Sequence, residues 1–265
     1  SPLTFAGVAV LTRRYFKGAE GSGIPQTIAA IRMTDGHERD AVLSLRVAVG
    51  KMFLTCISLM GGASVGREGP TVQVGAALLY NLRWLVRFPR HLRERGLIVA
   101  GGGAGVAAAF NTPLAGIVFA IEEMARSFEE RTSGTLITAV IIAGLAAIYV
   151  QGDYTYFGVT NATLSGLSGW GGVLLCGLAG GLLGGGFSRL LLAFSTYGLP
   201  GRAGTFVRTH PVKFAALCGL LLALIGLASG NTVYGSGYAE ARHLLTGTEV
   251  VSAGYGLWKI LATFV

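Results

Sequence analysis

Apolar segments close to bilayer length recur along this chain and leave it few ways to fold. They cover residues 41–60, 97–121, 134–150, 169–193 and 212–228. A helix needs about 20 apolar residues to cross a membrane, and most of these segments approach that length. The chain is 52% hydrophobic and 13% charged, whereas an ordinary soluble domain has about 25% charged residues. We therefore expect an all-α, polytopic protein in the lipid bilayer, with these five segments as spans.

Positive charge clusters between the apolar segments, at residues 13–17, 83–95 and 201–213. The positive-inside rule places these stretches in the cytoplasm, and it places the polar loop 151–169, which has no Lys or Arg, outside. The net charge of +8 is thus explained by membrane orientation, and we expect no nucleic-acid partner. Cys56, Cys176 and Cys218 lie in separate apolar segments, so no disulfide or metal site is expected.

Two helical segments are too short to cross the membrane. About 13 residues separate Pro70 from Arg83, and the segment 24–32 is shorter still. Helices broken at membrane depth are tolerated only where they line a cavity or are buried in protein. The sequence GSGIPQTIAA at 21–30 is echoed by GSGYAEARHL at 235–244, and flanking charge places the two on opposite sides of the membrane. We interpret this echo as an inverted repeat, with most of the first half in 1–168, the start of the second in 169–265, and a substrate site at the midplane.

The broken helices have the chemistry of an anion site. A helix that begins inside the membrane presents free N–H groups and about half a positive charge at its first turn. Pro25 and Pro70 suit that turn, the preceding glycines allow close approach of the backbone to an ion, and Ser22 adds an uncharged hydroxyl donor. The alternative is that Gly and Pro here only permit packing and tight turns. The glycine-rich run 177–186, by contrast, favours close helix packing.

Glu68, in the motif GREGP, lies just before the helix start expected at Pro70. Its carboxylate can take the place of the anion, accept the same amide hydrogen bonds, and swing away when protonated, which couples anion access to proton uptake. Alternatively, Glu68 caps the helix or pairs with Arg67. Because an ionisable residue in a membrane costs roughly 2.5–3.5 kcal/mol on insertion scales, we favour the functional interpretation.

Glu122 and Glu123 end an apolar helix on the expected cytoplasmic side. Neighbouring helical residues point about 100° apart, so we expect at most one of the two to face a proton pathway while the other packs or forms a salt bridge. The alternative is that both are boundary charges.

Three motifs, in this order and spacing, resemble the CLC family of chloride channels and chloride/proton antiporters. They are GSGIP (21–25), GREGP (66–70) followed by TVQVGAAL, and GVAAAFNTPLAGIVFAIEEM (105–124). The resemblance covers essentially the whole chain and implies a homodimer with one anion pathway in each subunit, and no cofactor other than chloride as the transported ligand. The family's GxFxP motif is not found, so we expect a fragment that stops before it.

The same resemblance implies roles for individual residues. Glu68 would be the external gate and a proton-transfer group, Glu123 the internal proton-transfer glutamate, and Glu122 its supporting neighbour. The chloride-binding residues would be Ser22, Gly23, Ile24, Glu68 and Gly69.

A carboxylate at Glu123 is the pattern of the antiporters, so we expect a chloride/proton antiporter in a bacterial inner (plasma) membrane. The alternative is a passive, voltage- or pH-gated chloride channel of the same fold. A further alternative rests on Gly166-Leu-Ser-Gly169, which matches the GxSG motif of rhomboid-type proteases, with His210 or His243 as candidate bases. Because that motif is short and the bases fit poorly, we expect no enzymatic activity.

Overall fold

A computed structural model describes residues 1–86, 94–126, 130–160, 163, 166–198, 201–247 and 254–265. Residues 87–93 of the basic stretch 83–95, and residues 161–162 and 164–165 of the outer loop, lie outside this description. Every regular element among the described residues is helical, which confirms the expected all-α class.

Thirteen α-helices and one π-helical segment follow one another along the described chain. Their bounds are α1 Pro2–Tyr15, α2 Ile24–Arg32, α3 Gly36–Leu43, α4 Leu45–Met60, α5 Glu68–Leu82, α6 Arg95–Phe110, α7 Pro113–Phe119, a π-helical segment Ala120–Ala125, α8 Glu130–Gln151, α9 Gly166–Tyr197, α10 Gly201–Thr209, α11 Pro211–Ala228, α12 Tyr238–Thr246 and α13 Tyr255–Phe264. The short helices α2 and α5 match the two segments predicted to be broken.

Four helical stretches among the described residues are long and apolar enough to cross a membrane. They are Gly36–Met60, Ser133–Gln151, Ser168–Phe194 and Pro211–Ala228, in agreement with four of the five predicted spans. The prediction of a single span over 97–121 is wrong. That stretch is divided into α6 and α7 by Asn111, which takes the left-handed conformation (φ 55°) at the end of α6. The division follows from Pro113, because proline disfavours a helical conformation in the residue before it.

Helix α6 is the centre of the first half, where it packs between α5 and α8. Most of its residues are buried. Close approach depends on glycine: a Cβ on Gly101 would lie 2.7 Å from the Cα of Ala76, and a Cβ on Gly105 would lie 2.9 Å from the carbonyl carbon of Thr71. The glycine run 177–186 in α9 behaves differently, since within the described chain a Cβ on any of its glycines meets nothing within 4 Å. Its predicted packing role stays a prediction.

The two halves repeat a local arrangement. Helix α1 packs against α11, and each leads through a Gly-Ser-Gly loop into a helix of nine residues, α2 or α12. In each half, a lysine on a later apolar helix forms hydrogen bonds to this loop. Lys51 Nζ, in α4, donates to the carbonyl oxygens of Ala19 and Gly21 at 2.9 and 2.6 Å. Lys259 Nζ donates to those of Val233 and Gly235 at 2.8 and 2.7 Å. This correspondence supports the repeat inferred from the sequence.

Candidate functional site

The site forms where the N-termini of α2 and α5 touch. A Cβ added to Gly23 would lie 2.5 Å from the carbonyl oxygen of Gly69, and a Cβ added to Gly69 would lie 2.6 Å from the carbonyl oxygen of Ser22. The Ser22 hydroxyl also lies against Gly69. The structure therefore brings together all the residues predicted to bind chloride, which come from two motifs about 45 residues apart in the sequence.

The geometry gives two helix N-termini at one place. Each presents first-turn amides without partners inside its own helix, and each carries the positive end of a helix dipole. Gly23 precedes α2 with a φ of 115°, which side-chain-bearing residues rarely adopt, so this position requires glycine. A neutral hydroxyl and backbone amides are suited to hold a compact anion.

One expected donor is already engaged. The Gly23 amide donates to Oε1 of Gln26 at 2.9 Å, and Nε2 of Gln26 in turn donates to the Glu20 carbonyl oxygen at 2.8 Å. The expectation that the Gly23 amide is open to an anion is therefore corrected: in this structure the Gln26 oxygen takes that position. An incoming anion must displace the Gln26 side chain to use this amide.

Buried polar side chains hold the loop before α2 in place. Lys51 is 3% exposed and donates to three consecutive carbonyl oxygens of this loop, the third being that of Glu20 at 3.3 Å. Gln73 Nε2 donates to the carbonyl oxygens of Gly18 and Val42 at 3.0 and 2.9 Å. The lysine adds a positive charge behind the loop without contacting the site itself.

Glu68 is the first residue of α5, so the helix starts two residues earlier than predicted. Its Oε1 accepts a hydrogen bond from the Tyr156 hydroxyl at 3.1 Å. Within the part of the chain that the structure describes, no backbone amide donates to this carboxylate and no ion pair joins it to Arg67. Both the expected amide bonds and the alternative pairing with Arg67 are thus replaced by a phenol donor.

Tyr156 belongs to an aromatic cluster, formed with Phe110, Phe157 and Tyr238, that lies beside Glu68. The ring of Tyr156 lies 4.9 Å from Phe110, 4.9 Å from Phe157 and 4.6 Å from Tyr238, and the Arg67 guanidinium is 5.6 Å from its centroid. Burial, followed by the negative charge of Glu68, raises the pKa of Tyr156, so its hydroxyl remains a donor at neutral pH. Because Tyr238 begins α12, the cluster connects the carboxylate to the broken helix of the second half.

Glu122 and Glu123 lie in the π-helical segment, and both side chains are exposed. Because both are exposed, the expectation that one of them packs against the protein is wrong for this structure; neither forms a salt bridge with a described residue, so pairing stays a prediction. Neighbouring side chains point about 100° apart only in a regular α-helix, and the wider π turn changes the direction of both residues. Both lie in the first turn of the segment, and their side chains are open to solvent.

The GxSG motif gains no support from His210. Ser168 lies in the first turn of α9, while the His210 ring lies 2.8 Å from the Thr209 hydroxyl at the start of α11.

Three residues around the site were missed by sequence reasoning. Gln26 had a usable signal, because a Gln three residues after an N-cap is the pattern of a capping box. Lys51 had a weaker one, as an isolated charge inside an apolar span. Tyr156 had no such signal, because no sequence pattern indicates that the loop 151–169 contacts the GREGP motif.

Comparison with known proteins supports a single family. The family model described as voltage gated chloride channel matches residues 4–265. The chain is 41% identical over 145 residues to the H(+)/Cl(-) exchange transporter ClcA of Vibrio cholerae, covering 55% of this chain and 29% of that protein. It is 28% identical to chloride channel protein CLC-d of Arabidopsis thaliana, covering 74% of this chain and 27% of that protein. The chain thus spans less than a third of the length of these curated relatives.

The fold agrees with a solved structure, titled as a slow cyanobacterial Cl-/H+ antiporter. The TM-score is 0.72 at 23% identity, covering 99% of this chain and 61% of that one. Since the family model covers nearly all of the sequence and this structural match has the same fold, the chain belongs to the voltage gated chloride channel family.

Proposed function

We propose that this chain forms part of the anion pathway of a chloride/proton antiporter, with most of its first repeat half in residues 1–168 and the start of its second half in 169–265. The observation that carries the proposal is the contact between the N-termini of α2 and α5, where Ser22 lies against Gly69 and Glu68 is the first residue of α5. Matches named as an H(+)/Cl(-) exchange transporter and a Cl-/H+ antiporter support the same reading.

In the proposed cycle, chloride binds where the two helix N-termini meet. The Ser22 hydroxyl and the amides of Gly23, Ile24 and Gly69 donate to it, and the amide of Gly23 becomes available when Gln26 turns away. Dipoles and a hydroxyl hold the ion without a full opposite charge, so it can leave again, as conduction requires. No cofactor takes part, and no covalent step is needed.

Glu68 acts as the gate in this cycle. When ionised, its carboxylate competes with chloride for the positive end of α5, and the hydrogen bond from Tyr156 holds it at the outer mouth. When protonated, it loses the charge that the helix dipole attracts, and it releases the pathway while carrying a proton. Chloride and proton movements are thereby coupled through one side chain.

The proton reaches the cytoplasm through Glu123, with Glu122 as its supporting neighbour. Both are exposed in the first turn of the π-helical segment, which suits exchange with water. We further propose a homodimer in a bacterial plasma membrane, with chloride, protons and lipid as its partners.

A passive chloride channel shares the anion site but not the coupling, and the two are separated by one experiment. Full-length protein containing this chain is reconstituted in liposomes, a chloride gradient is imposed, and external pH is recorded with a potassium ionophore present to clamp the voltage. The antiporter reading expects protons to move against their gradient. Chloride flux without proton movement would identify a channel. The absence of any chloride flux would contradict both the antiporter and the channel.

A further inference from the structure

A cavity of about 430 Å³ opens between the end of α2, the start of α6 and the end of the π-helical segment. Its described lining consists of Ile31, Arg32, Arg95, Met124, Ala125 and Arg126. The volume falls in the range of small-ligand sites, which is roughly 300–1,000 Å³. It lies away from Ser22 and Glu68, at the opposite end of α2 from the anion site.

The charge of this cavity is one-sided. Among the described residues, its lining carries three guanidinium groups and no carboxylate. Glu94, the neighbour of Arg95, is compensated by a pair with Arg39, whose guanidinium also donates to the carbonyl oxygens of Ala30 and Met33 beside the lining. Arg95 itself makes a long hydrogen bond of 3.4 Å to the Ala125 carbonyl oxygen, which places its side chain across the cavity toward the π-helical segment.

The backbone conformation at Arg126 and Arg95 is also relevant to the charge beside this cavity. Arg126 takes a left-handed conformation (φ 55°), which is uncommon for a residue other than glycine, and it ends the π-helical segment there. Arg95 is the first residue of α6, whose first-turn amides and helix dipole add donors on the same side. The three arginines that line the cavity come from three different places in the chain: the end of α2, the start of α6 and the residue after the π-helical segment.

Arginine clusters bind phosphate groups through paired N–H donors more effectively than they bind a spherical ion. We propose that this cavity is a binding site for a phosphate-bearing anion, held by Arg32, Arg95 and Arg126. The adjacent basic stretch places it on the cytoplasmic side, where a phospholipid head group or a soluble phosphate can reach it. The site joins the end of α2 to the segment that carries Glu123, so a bound phosphate would fix these two elements relative to one another.

Binding is measured directly on full-length protein containing this chain, without any transport assay. One arm counts phosphatidylglycerol retained by the detergent-purified protein in native mass spectrometry. The other measures radiolabelled inorganic phosphate by equilibrium dialysis. The test variant is Arg32→Gln with Arg126→Gln, and the matched control is Arg202→Gln with Arg208→Gln, which removes the same charge from the basic helix α10.

We expect wild-type protein and the control to bind at least one of the two probes, and the test variant to bind it at least about ten-fold more weakly because two charge-assisted contacts are lost. Retention of lipid alone identifies a head-group site, and binding of free phosphate identifies a soluble ligand. A second variant, Arg32→Lys with Arg126→Lys, keeps the charge but loses the paired donors, so we expect intermediate binding from a folded protein. Equal binding by test and control variants, or no binding of either probe by the wild type at millimolar concentration, overturns the proposal.

Discussion

Replacing Tyr156 with Phe removes one hydroxyl and leaves the ring contacts of the aromatic cluster in place. The hydroxyl donates to Oε1 of Glu68 at 3.1 Å, and this bond stabilises the ionised carboxylate. Without it, the ionised Glu68 loses a hydroxyl donor and should leave the closed position of the gate more readily. In the proposed cycle protonation opens the gate, so acid activation of chloride flux should begin at higher pH in Tyr156→Phe than in the wild type.

The size of the shift follows from the geometry. A hydrogen bond to a charged group contributes about 1.5–3 kcal/mol, and a distance of 3.1 Å is longer than the optimum of roughly 2.5–2.7 Å for a hydroxyl and a carboxylate. Glu68 is also partly exposed, which weakens the bond further. We therefore take the lower end of the range of about 1.5–3 kcal/mol for this bond. Since about 1.36 kcal/mol corresponds to one pH unit, the midpoint pH of acid-activated chloride flux should rise by about one unit.

Tyr156 does not titrate between pH 4 and 7.5, the range over which chloride flux is measured. Its pKa is raised above the ordinary value of 10.0, so the phenol is protonated at every pH from 4 to about 9, and its own ionisation costs stability only as the pH rises through the raised pKa. The other charged groups near the cluster are Arg67 over the Tyr156 ring, Asp153 beside Asn111, and Arg242 close to Gly158. Phe substitution changes none of these charges.

The assay is chloride efflux from liposomes across external pH 4 to 7.5, with full-length protein. The matched control is Tyr238→Phe, which removes a hydroxyl from the neighbouring ring in the same cluster but not the donor to Glu68. We expect the control to keep the wild-type midpoint. An unchanged or lowered midpoint in Tyr156→Phe would show that the Tyr156 hydroxyl does not hold the Glu68 gate closed. A shift of the midpoint that persists in a Glu68→Gln background would assign the pH dependence to another group.

Three further predictions concern other parts of the site. Gln26→Ala frees the Gly23 amide, so we expect tighter chloride binding, by about 1 kcal/mol or five-fold, in calorimetric titration; Gln26→Glu places a carboxylate there and should weaken it. Glu123→Gln should abolish proton movement while chloride flux persists, whereas Glu122→Gln should retain measurable proton movement. Gly69→Ala forces a methyl group against Ser22 at a cost of about 1–3 kcal/mol and should lower chloride flux and thermal stability, unlike Gly134→Ala, where nothing lies within 4 Å.

Much of the fold was predictable because it rests on local signals. Membrane spans are recognised by length and apolar content, and the GSGIP and GREGP motifs begin helices through backbone rules that operate over a few residues. The segment 24–32 was predicted to be a short, broken helix after the glycines of GSGIP, and α2 has the same bounds. The division at Asn111 was also locally encoded, by the sequence Asn-Thr-Pro, but the length of the apolar run 97–121 concealed it.

The rest of the site depends on contacts between distant segments. The bond between Tyr156 and Glu68 joins residues 88 positions apart, and no periodicity or charge pattern relates them. Lys51 was visible as a buried charge, but its partners are carbonyl oxygens, which every residue has. The exposure of Glu122 and Glu123 depends on a π-helical turn that a regular helical projection does not anticipate.

Coupled flux through Glu68→Gln decides whether Glu68 is the gate that joins chloride movement to proton movement. Full-length wild-type and variant proteins are reconstituted in parallel liposomes, and chloride efflux and proton uptake are recorded together under the same chloride gradient. We expect Glu68→Gln, which imitates the protonated gate, to conduct chloride, to carry no protons and to lose most of its dependence on pH, and we expect the same of Glu68→Ala. A Glu68→Gln protein that still drives protons against their gradient would contradict the assignment of Glu68 as the gate.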